Sequence, residues 1–169
     1  KFVNWHDRNT CIIFADGAGA AVFGEVEQGY GMLSFDLGAD GSGATTIEIP
    51  GGGSKHPADQ ESIDNHMHCL HMNGKETFRF AVKAMGSTVM KSLERAGLQK
   101  EDIDYLIPHQ ANIRIIESAA KRLHLPMDKV FVNIEKYGNA SAASIPIAMA
   151  EAYQSGKLKK GEIIALSGF

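Results

Sequence analysis

The feature that most constrains the fold is the regular alternation of helix and strand patterns in the second half of the chain. Apolar residues recur at helical spacing from Phe78 to Ala96, and Gly97 follows as a helix stop. Short apolar segments of strand length alternate with further helical patterns after it. The predicted elements are strands at 105–107, 130–133 and 163–166, and helices at 113–123 and 142–154. This alternation predicts a layered α/β fold in which helices pack on a sheet.

The first third of the chain is rich in strand patterns instead. Four strands are predicted there, at Thr10–Ala15, Ala20–Val26, Gly31–Leu37 and Thr45–Ile49. The stretch Pro50–Asn65 contains glycines and mixed charges without periodicity, so it is predicted to be a loop. Together these patterns favour a mixed sheet over a purely parallel one, in a chain that forms a single domain.

Composition excludes several classes of protein. A hydrophobic fraction of 44% and a charged fraction of 22% over 169 residues are those of an ordinary globular domain. A net charge of -3 argues against nucleic-acid binding. No apolar run approaches the roughly 20 residues of a membrane span, so no membrane association is expected. Two cysteines are too few for a disulfide framework, which favours a cytoplasmic location.

The two ends of the chain resemble cuts in a longer sequence. The chain begins Lys1-Phe2-Val3 without an initiator Met, and it stops at Phe169 directly after an apolar run. We therefore expect a piece of a larger protein, with a processed or trimmed chain as the alternative.

Two motifs carry residues suited to chemistry, and both lie between a predicted strand and a predicted helix. The first is Pro108-His109-Gln110-Ala111-Asn112, at the kind of position where open α/β sheets place ligand sites. The His109 ring offers a hydrogen-bond donor, a base or a ligand. The alternative is a histidine that only packs or caps at the start of the helix.

The second motif is Gly138-Asn139-Ala140-Ser141-Ala142-Ala143-Ser144-Ile145-Pro146. Its small residues let the backbone approach a ligand closely, and Asn139 could donate its amide to a developing oxyanion. The alternative is a turn asparagine, with Ser141 or Ser144 as the helix cap.

In this order and at this spacing, the two motifs resemble the β-ketoacyl-[acyl-carrier-protein] synthase III family. His109 and Asn139 match the second and third members of that family's Cys-His-Asn triad, and the similarity continues through 16–21 (DGAGAA) and 72–76 (MNGKE). The resemblance implies a thiolase-like, layered α/β/α fold with a mixed five-stranded sheet, one half of the family's αβαβα fold. Residues 1–169 would form the C-terminal half, and the N-terminal half that bears the cysteine would be absent from this chain.

The resemblance also implies a reaction. A cysteine of the missing half would take an acyl group from acyl-CoA, and malonyl-acyl carrier protein would then undergo decarboxylating Claisen condensation with it, initiating fatty-acid synthesis. His109 and Asn139 would be oxyanion donors. CoA thioesters are substrates, so no cofactor is expected, and the family works as a homodimer. The chain alone would be inactive. The alternatives are a non-catalytic half-domain that dimerises or binds CoA, or a related condensing enzyme of secondary metabolism.

Further residues match family positions with less specific motifs. The positions that match substrate and CoA contacts are Arg8, Gly74, Phe78, Ala111, Asn112 and Phe169. The basic residues that match the docking site for the acidic carrier protein are Arg79, Arg114 and Lys121. Core packing is the alternative for Phe78, and a solvated helix face is the alternative for the basic residues.

Two other signals are discounted. On a strand, His66 and His68 would share a face, but no second ligand cluster accompanies them, so no metal site is expected. Cys11 is predicted to be a small core residue in an apolar strand, and for Cys69, which could be exposed, no feature indicates an activated thiolate. Neither cysteine is a candidate for the missing nucleophile.

Overall fold

The helices of the second half form at or near their predicted bounds. A computed structural model describes residues 2–169. Its α-helices are α1 (Arg8–Cys11), α2 (Gln60–Asp64), α3 (Gly74–Ala96), α4 (Ile113–Leu123), α5 (Ile134–Tyr137) and α6 (Ser144–Gln154). Its strands are β1 (Ile47–Glu48), β2 (His71–Met72), β3 (Tyr105–Pro108) and β4 (Ile164–Ser167). Short 3-10 turns lie at Gly41–Gly43, Lys100–Asp102, Met127–Lys129 and Ser141–Ala143.

Contacts group the chain into two compact units. The first unit comprises the residues up to Phe14 together with Gly38–Phe80, and the second comprises Ala15–Leu37 together with Ala81–Phe169. The assignment makes α3 common to both units, because its residues up to Phe80 belong to the first.

In the second unit, a small parallel sheet lies between two layers of helices. β3 pairs in parallel with β4, and Val130 bridges to Leu106 on the other side of β3. Because successive strand residues face opposite sides of a sheet, Leu106 and Ile107 enter different cores. Leu106 packs in a cluster with residues of α3 and α4, and Ile107 packs in a cluster with residues of α6. The predicted α/β/α layering is therefore confirmed.

The two helices on the Leu106 side approach each other closely. A side chain at Gly86 of α3 would come within 2.4 Å of the Arg122 Cδ atom of α4. Local signals set the bounds of α4: the Asn112 side chain accepts the Arg114 N–H at 2.9 Å, and His124 ends the helix at φ 55°. The buried apolar side chains of α3 and α4 in this core are Val89, Leu93, Ile116, Ala120 and Leu123.

The prediction of a five-stranded mixed sheet is wrong for the described residues. The sheets are a parallel pair, extended by the Val130 bridge, and a separate antiparallel pair of β1 with β2 in the first unit. The predicted strands Ala20–Val26 and Gly31–Leu37 do not form. These segments have strand-like composition, but a strand also requires a partner for its backbone hydrogen bonds. Much of this stretch is exposed, with Phe23 83% accessible.

The structure of the first unit corrects three other predictions. Thr10–Ala15 was predicted to be a strand, but Arg8–Cys11 is helical because the Asp7 carboxylate accepts the Asn9 N–H and the Thr10 hydroxyl. The predicted loop Pro50–Asn65 contains α2, which begins with a capping box between Asp59 and Ser62. Of the predicted strand Thr45–Ile49, only β1 pairs, with β2 as its partner.

Candidate active site at the ends of two parallel strands

His109 lies at the carboxyl end of β3, immediately after Pro108. Its backbone N–H donates to the Ser167 carbonyl oxygen of β4 at 2.7 Å, which fixes the residue against the neighbouring strand end. Because the strands run in parallel, the residues that follow β4 reach the same edge of the sheet. The Phe169 ring meets the His109 ring edge-on, with 5.3 Å between centroids. The structure therefore brings together two of the predicted site residues.

The His109 ring is anchored by a serine from the next motif. Its Nδ1 atom lies 2.6 Å from Oγ of Ser144, the first residue of α6, and the backbone N–H of Gln110 donates to the same oxygen at 3.2 Å. Ser144 is buried, and burial lowers the pKa of His109 below its ordinary value of 6.5. The ring is therefore neutral at pH 7.

A cavity of about 200 Å³ adjoins the His109 ring. It is open to a substrate group at the edge of the sheet, where the strand ends and the start of α6 meet. Its lining is His109, Ser141, Ala142, Ile145, Gly168 and Phe169. A neutral imidazole on the wall of such a cavity can donate or accept a hydrogen bond to a bound carbonyl group.

Asn139 lies in the loop beside this cavity, although it is not among the residues that line it. Its side-chain oxygen accepts the Ser141 N–H at 2.9 Å, so the amide nitrogen is the group left to donate. The residue is 7% exposed, and its carbonyl oxygen accepts the Ala15 N–H at 2.9 Å. Gly138 before it has φ 64° and ψ -164°, a conformation that essentially only glycine adopts.

The stretch 16–21 (DGAGAA) packs against the loop that contains Asn139. A side chain at Gly17 would lie 2.9 Å from the Ala140 Cβ atom, and one at Gly19 would lie 2.5 Å from Pro146. The two glycines therefore permit a close approach of this backbone to both ends of the second motif.

Gln110 is a site residue whose role the sequence did not indicate. Its side chain is fully buried, and its amide nitrogen donates to the carbonyl oxygens of Pro108 at 2.8 Å and Phe131 at 3.1 Å. Its side-chain oxygen accepts the Asn133 N–H at 3.0 Å. Gln110 thus ties the end of β3 to the segment that follows Val130.

The remaining predicted residues of the second unit lie around the start of α4. Ala111 is half-buried, and Asn112 is exposed with its side-chain oxygen engaged as the helix cap. Arg114 and Lys121 are both exposed, and their spacing of seven residues places them on one face of α4.

The predicted residues of the first unit are Arg8, Gly74, Phe78 and Arg79. Arg8 opens α1 and Gly74 opens α3, and both are exposed. Phe78 is half-buried and Arg79 is exposed on the same helix.

The cysteines and clustered histidines belong to the first unit. Cys69 is buried at 4% exposure, and Cys11 is half-buried at the end of a helix rather than in the predicted strand. The rings of His66 and His68 lie 6.2 Å apart, and His66 has φ 54° instead of a strand conformation. Between residues 2 and 169, no group of three or more His, Cys, Asp or Glu side chains is placed to hold a metal ion.

No helix among residues 2–169 combines the length and the apolar character needed to cross a membrane.

Comparisons with known proteins agree on one family. Residues 93–169 match the model of the 3-oxoacyl-[acyl-carrier-protein] synthase III C-terminal domain, and residues 1–41 match the model of 3-oxoacyl-[acyl-carrier-protein] synthase III. The chain is 57% identical over its whole length to the β-ketoacyl-[acyl-carrier-protein] synthase III of Caldanaerobacter subterraneus subsp. tengcongensis and covers 51% of that protein. The corresponding enzyme of Desulfitobacterium hafniense is 54% identical, with the same coverage.

A solved structure supports the same assignment. The β-ketoacyl-[acyl-carrier-protein] synthase III of Thermus thermophilus superposes with a TM-score of 0.88 at 43% identity, over 99% of this chain and 51% of that chain. The fold is therefore thiolase-like, as the sequence motifs predicted. The chain belongs to the β-ketoacyl-[acyl-carrier-protein] synthase III family, and it spans about half the length of the curated relatives that it matches.

Proposed function

We propose that the chain is the C-terminal half of an acyltransferase that condenses an acyl-CoA primer with malonyl-acyl carrier protein. In this proposal the chain supplies His109 and Asn139 as oxyanion donors. The observation that carries the proposal is the position of the His109 ring at the wall of a cavity, beside the loop that holds Asn139.

The reaction would begin on a cysteine outside this chain. Its thiolate attacks the acyl-CoA carbonyl and releases CoA, which leaves an acyl-cysteine. Malonyl-acyl carrier protein then loses carbon dioxide, and the electrons of the broken C–C bond pass to the thioester as an enolate. The carbanion form attacks the acyl-cysteine carbonyl, so that the β-ketoacyl thioester is released and the cysteine is regenerated.

The two donors act on the enolate oxygen. A neutral His109 with its proton on Nε2 can donate one hydrogen bond, and the Asn139 amide nitrogen can donate a second. Donors of this kind lower the barrier because the negative charge on that oxygen is larger in the transition state than in the thioester. No cofactor enters these steps, since the CoA and carrier-protein thioesters supply the reacting groups.

The other residues of the proposal contact substrates and partners. Arg8, Gly74, Phe78, Ala111, Asn112 and Phe169 would line the path of CoA and its pantetheine arm. Arg79, Arg114 and Lys121 would dock the acidic carrier protein, and complementary charge of this kind mainly speeds and orients encounter. The protein would work in the cytoplasm as a homodimer of chains that contain both halves.

The test is decarboxylation of malonyl-acyl carrier protein by the full-length protein, measured as carbon dioxide release without acyl-CoA. We expect His109→Ala and Asn139→Ala each to lower the rate about 10²- to 10³-fold, the loss typical of one oxyanion-hole donor. Ser155→Ala is a matched control, because Ser155 is the C-cap at the far end of α6 and its hydroxyl donates to the Ala152 carbonyl oxygen at 3.0 Å. Wild-type rates in both donor variants would contradict the proposal.

The alternative is a half-domain that associates without condensing. The exposed apolar residues of the segment 20–37, among them Phe23 and Leu37, favour association with another polypeptide. Both readings predict that the purified chain alone forms no acetoacetyl-carrier protein, so product from the chain alone would contradict both. They differ in whether a cysteine-bearing half accompanies the chain, which intact mass and N-terminal sequencing of the parent material would show.

A further inference from the structure

Among residues 2–169, the Ser144 side chain is the polar group that lies within hydrogen-bonding distance of His109 Nδ1, the ring nitrogen that faces α6. The two residues are 35 positions apart, and their side chains meet because β3 ends and α6 begins at the same edge of the sheet. Ser144 is 3% exposed, so the contact is shielded from water. Ser144 is the first residue of α6, and its side chain does not cap the helix. Its hydroxyl bonds groups outside the helix instead.

The donor and acceptor roles at Ser144 follow from its second neighbour. The backbone N–H of Gln110 can only donate, so the Ser144 oxygen is the acceptor in that bond. The hydroxyl hydrogen then needs an acceptor of its own. Among residues 2–169, the acceptor that lies within hydrogen-bonding distance of the Ser144 hydroxyl is His109 Nδ1, at 2.6 Å.

This arrangement selects one form of the imidazole. If Nδ1 carried a proton, the Ser144 oxygen would have to accept from both Nδ1 and the Gln110 N–H, and its own buried hydroxyl hydrogen would have no acceptor among the described residues, which folded proteins avoid. We propose that Ser144 is a positioning residue that donates to His109 Nδ1 and thereby holds the proton on Nε2, the nitrogen left for the substrate. The inference deepens the donor role proposed for His109 and depends on it for its effect on catalysis.

Burial of the ring acts in the same direction. Desolvation lowers the pKa of His109, which disfavours the doubly protonated form in which both nitrogens donate. Ser144 would then decide between the two neutral tautomers, a choice that burial alone leaves open.

The test is the tautomer itself, observed in the full-length protein labelled with ¹⁵N in its histidine rings. At pH 7.5 we expect the His109 spectrum to show an unprotonated Nδ1 and a protonated Nε2, with His109→Gln used to assign the signals. A wild-type ring with its proton on Nδ1, or with protons on both nitrogens, would overturn the inference without any variant being needed.

Variants separate the serine hydroxyl from its surroundings. Ser144→Ala should shift the ring toward a mixture of tautomers and lower the decarboxylation rate about 10- to 100-fold, by analogy with groups that orient metal-bound histidines. Ser144→Thr keeps the hydroxyl and should restore the Nε2 proton, and Ser155→Ala should leave the spectrum unchanged. An unchanged spectrum in Ser144→Ala would refute the positioning role.

The tautomer spectrum and the decarboxylation rate of Ser144→Ala together distinguish this inference from the proposed function. A shifted tautomer together with a slower reaction supports both. A shifted tautomer with a wild-type decarboxylation rate supports the role of Ser144 and contradicts the donor role of His109.

Discussion

Replacement of Gln110 should lower the free energy of unfolding by more than the size of the Gln110 side chain suggests. The side chain makes three buried hydrogen bonds, two as donor and one as acceptor, to Pro108, Phe131 and Asn133. A net contribution of about 1 kcal/mol for each bond gives about 3 kcal/mol for Gln110→Ala. The loss is this large because the three partners are backbone groups that stay buried with no replacement.

An isosteric variant removes the packing contribution from this comparison. Gln110→Glu has nearly the same shape and keeps an acceptor for the Asn133 N–H, but an ionised carboxylate cannot donate to the two carbonyl oxygens. We expect it to cost at least as much as Gln110→Ala, because it sets negative charge against two carbonyl oxygens in a buried site. Gln154→Ala, at the exposed end of α6, is the surface control.

The assay is urea unfolding of the full-length protein at fixed protein concentration, followed by circular dichroism. The concentration is fixed because association shifts the apparent stability of an oligomer. The variants should lower the midpoint with an unchanged dependence on urea, which is the sign of lost stability without a change in exposed surface. If Gln110→Glu unfolds at the same midpoint as Gln154→Ala, the hydrogen bonds of Gln110 do not hold the strand ends as argued.

Two further predictions concern pH and charge. Because the folded pKa of His109 lies below the unfolded value of 6.5, its contribution to stability is present above pH 6.5 and is lost as the pH falls through the folded pKa. Urea unfolding at pH 7.5 and at pH 5 should therefore show a smaller loss of stability in His109→Gln than in the wild type, and equal losses would contradict the lowered pKa. Arg114→Glu should raise the apparent KM for carrier protein more than that for acyl-CoA. The control Lys159→Glu reverses the charge of another exposed basic residue and should change neither KM. Equal effects of Arg114→Glu on both substrates would contradict a docking role.

The elements that were predicted well are those whose ends carry local signals. α4 has the predicted bounds because Asn112 caps its start, and His124 with the following Pro126 ends it. β3 and β4 were found from short apolar runs; that of β3 is largely buried by nearby helices, whereas β4 is only partly buried, with Leu166 48% exposed. By contrast, the helix at Arg8–Cys11 was missed, since its signal is one cap at Asp7 ahead of a strand-like run.

The segment from residue 20 to residue 37 shows why strands are harder to predict than helices. A helix satisfies its backbone within itself, whereas a strand needs a second segment that the local sequence does not identify. Side-chain contacts attach this segment to α3: Ser34 donates to the Ser92 carbonyl oxygen at 2.6 Å, and Asp36 pairs with Arg95 at 2.9 Å. Neither contact follows from the hydrophobic pattern.

The candidate site likewise contains residues that could be predicted from the sequence and residues whose roles only the fold shows. His109 and Asn139 could be selected from the sequence because each stands in a short motif with a family resemblance. Ser144 was considered only as a helix cap, and its contact with His109 spans 35 residues. The Gln110 side chain has partners at separations of up to 23 residues, so its role depends on the fold and not on any spacing in the sequence.

The support of Asn139 gives a physical reason to expect little catalysis from this chain alone. The Ala15 N–H holds the Asn139 carbonyl oxygen, and the backbone at Gly17 and Gly19 lies against the same loop. Directly after these contacts, the chain continues into the exposed apolar stretch around Phe23. One wall of the Asn139 loop is therefore built from a segment that lacks a sheet partner among the described residues. A donor must be held to within a fraction of an ångström to stabilise an oxyanion, so the pairing of that segment bears directly on how well Asn139 can act.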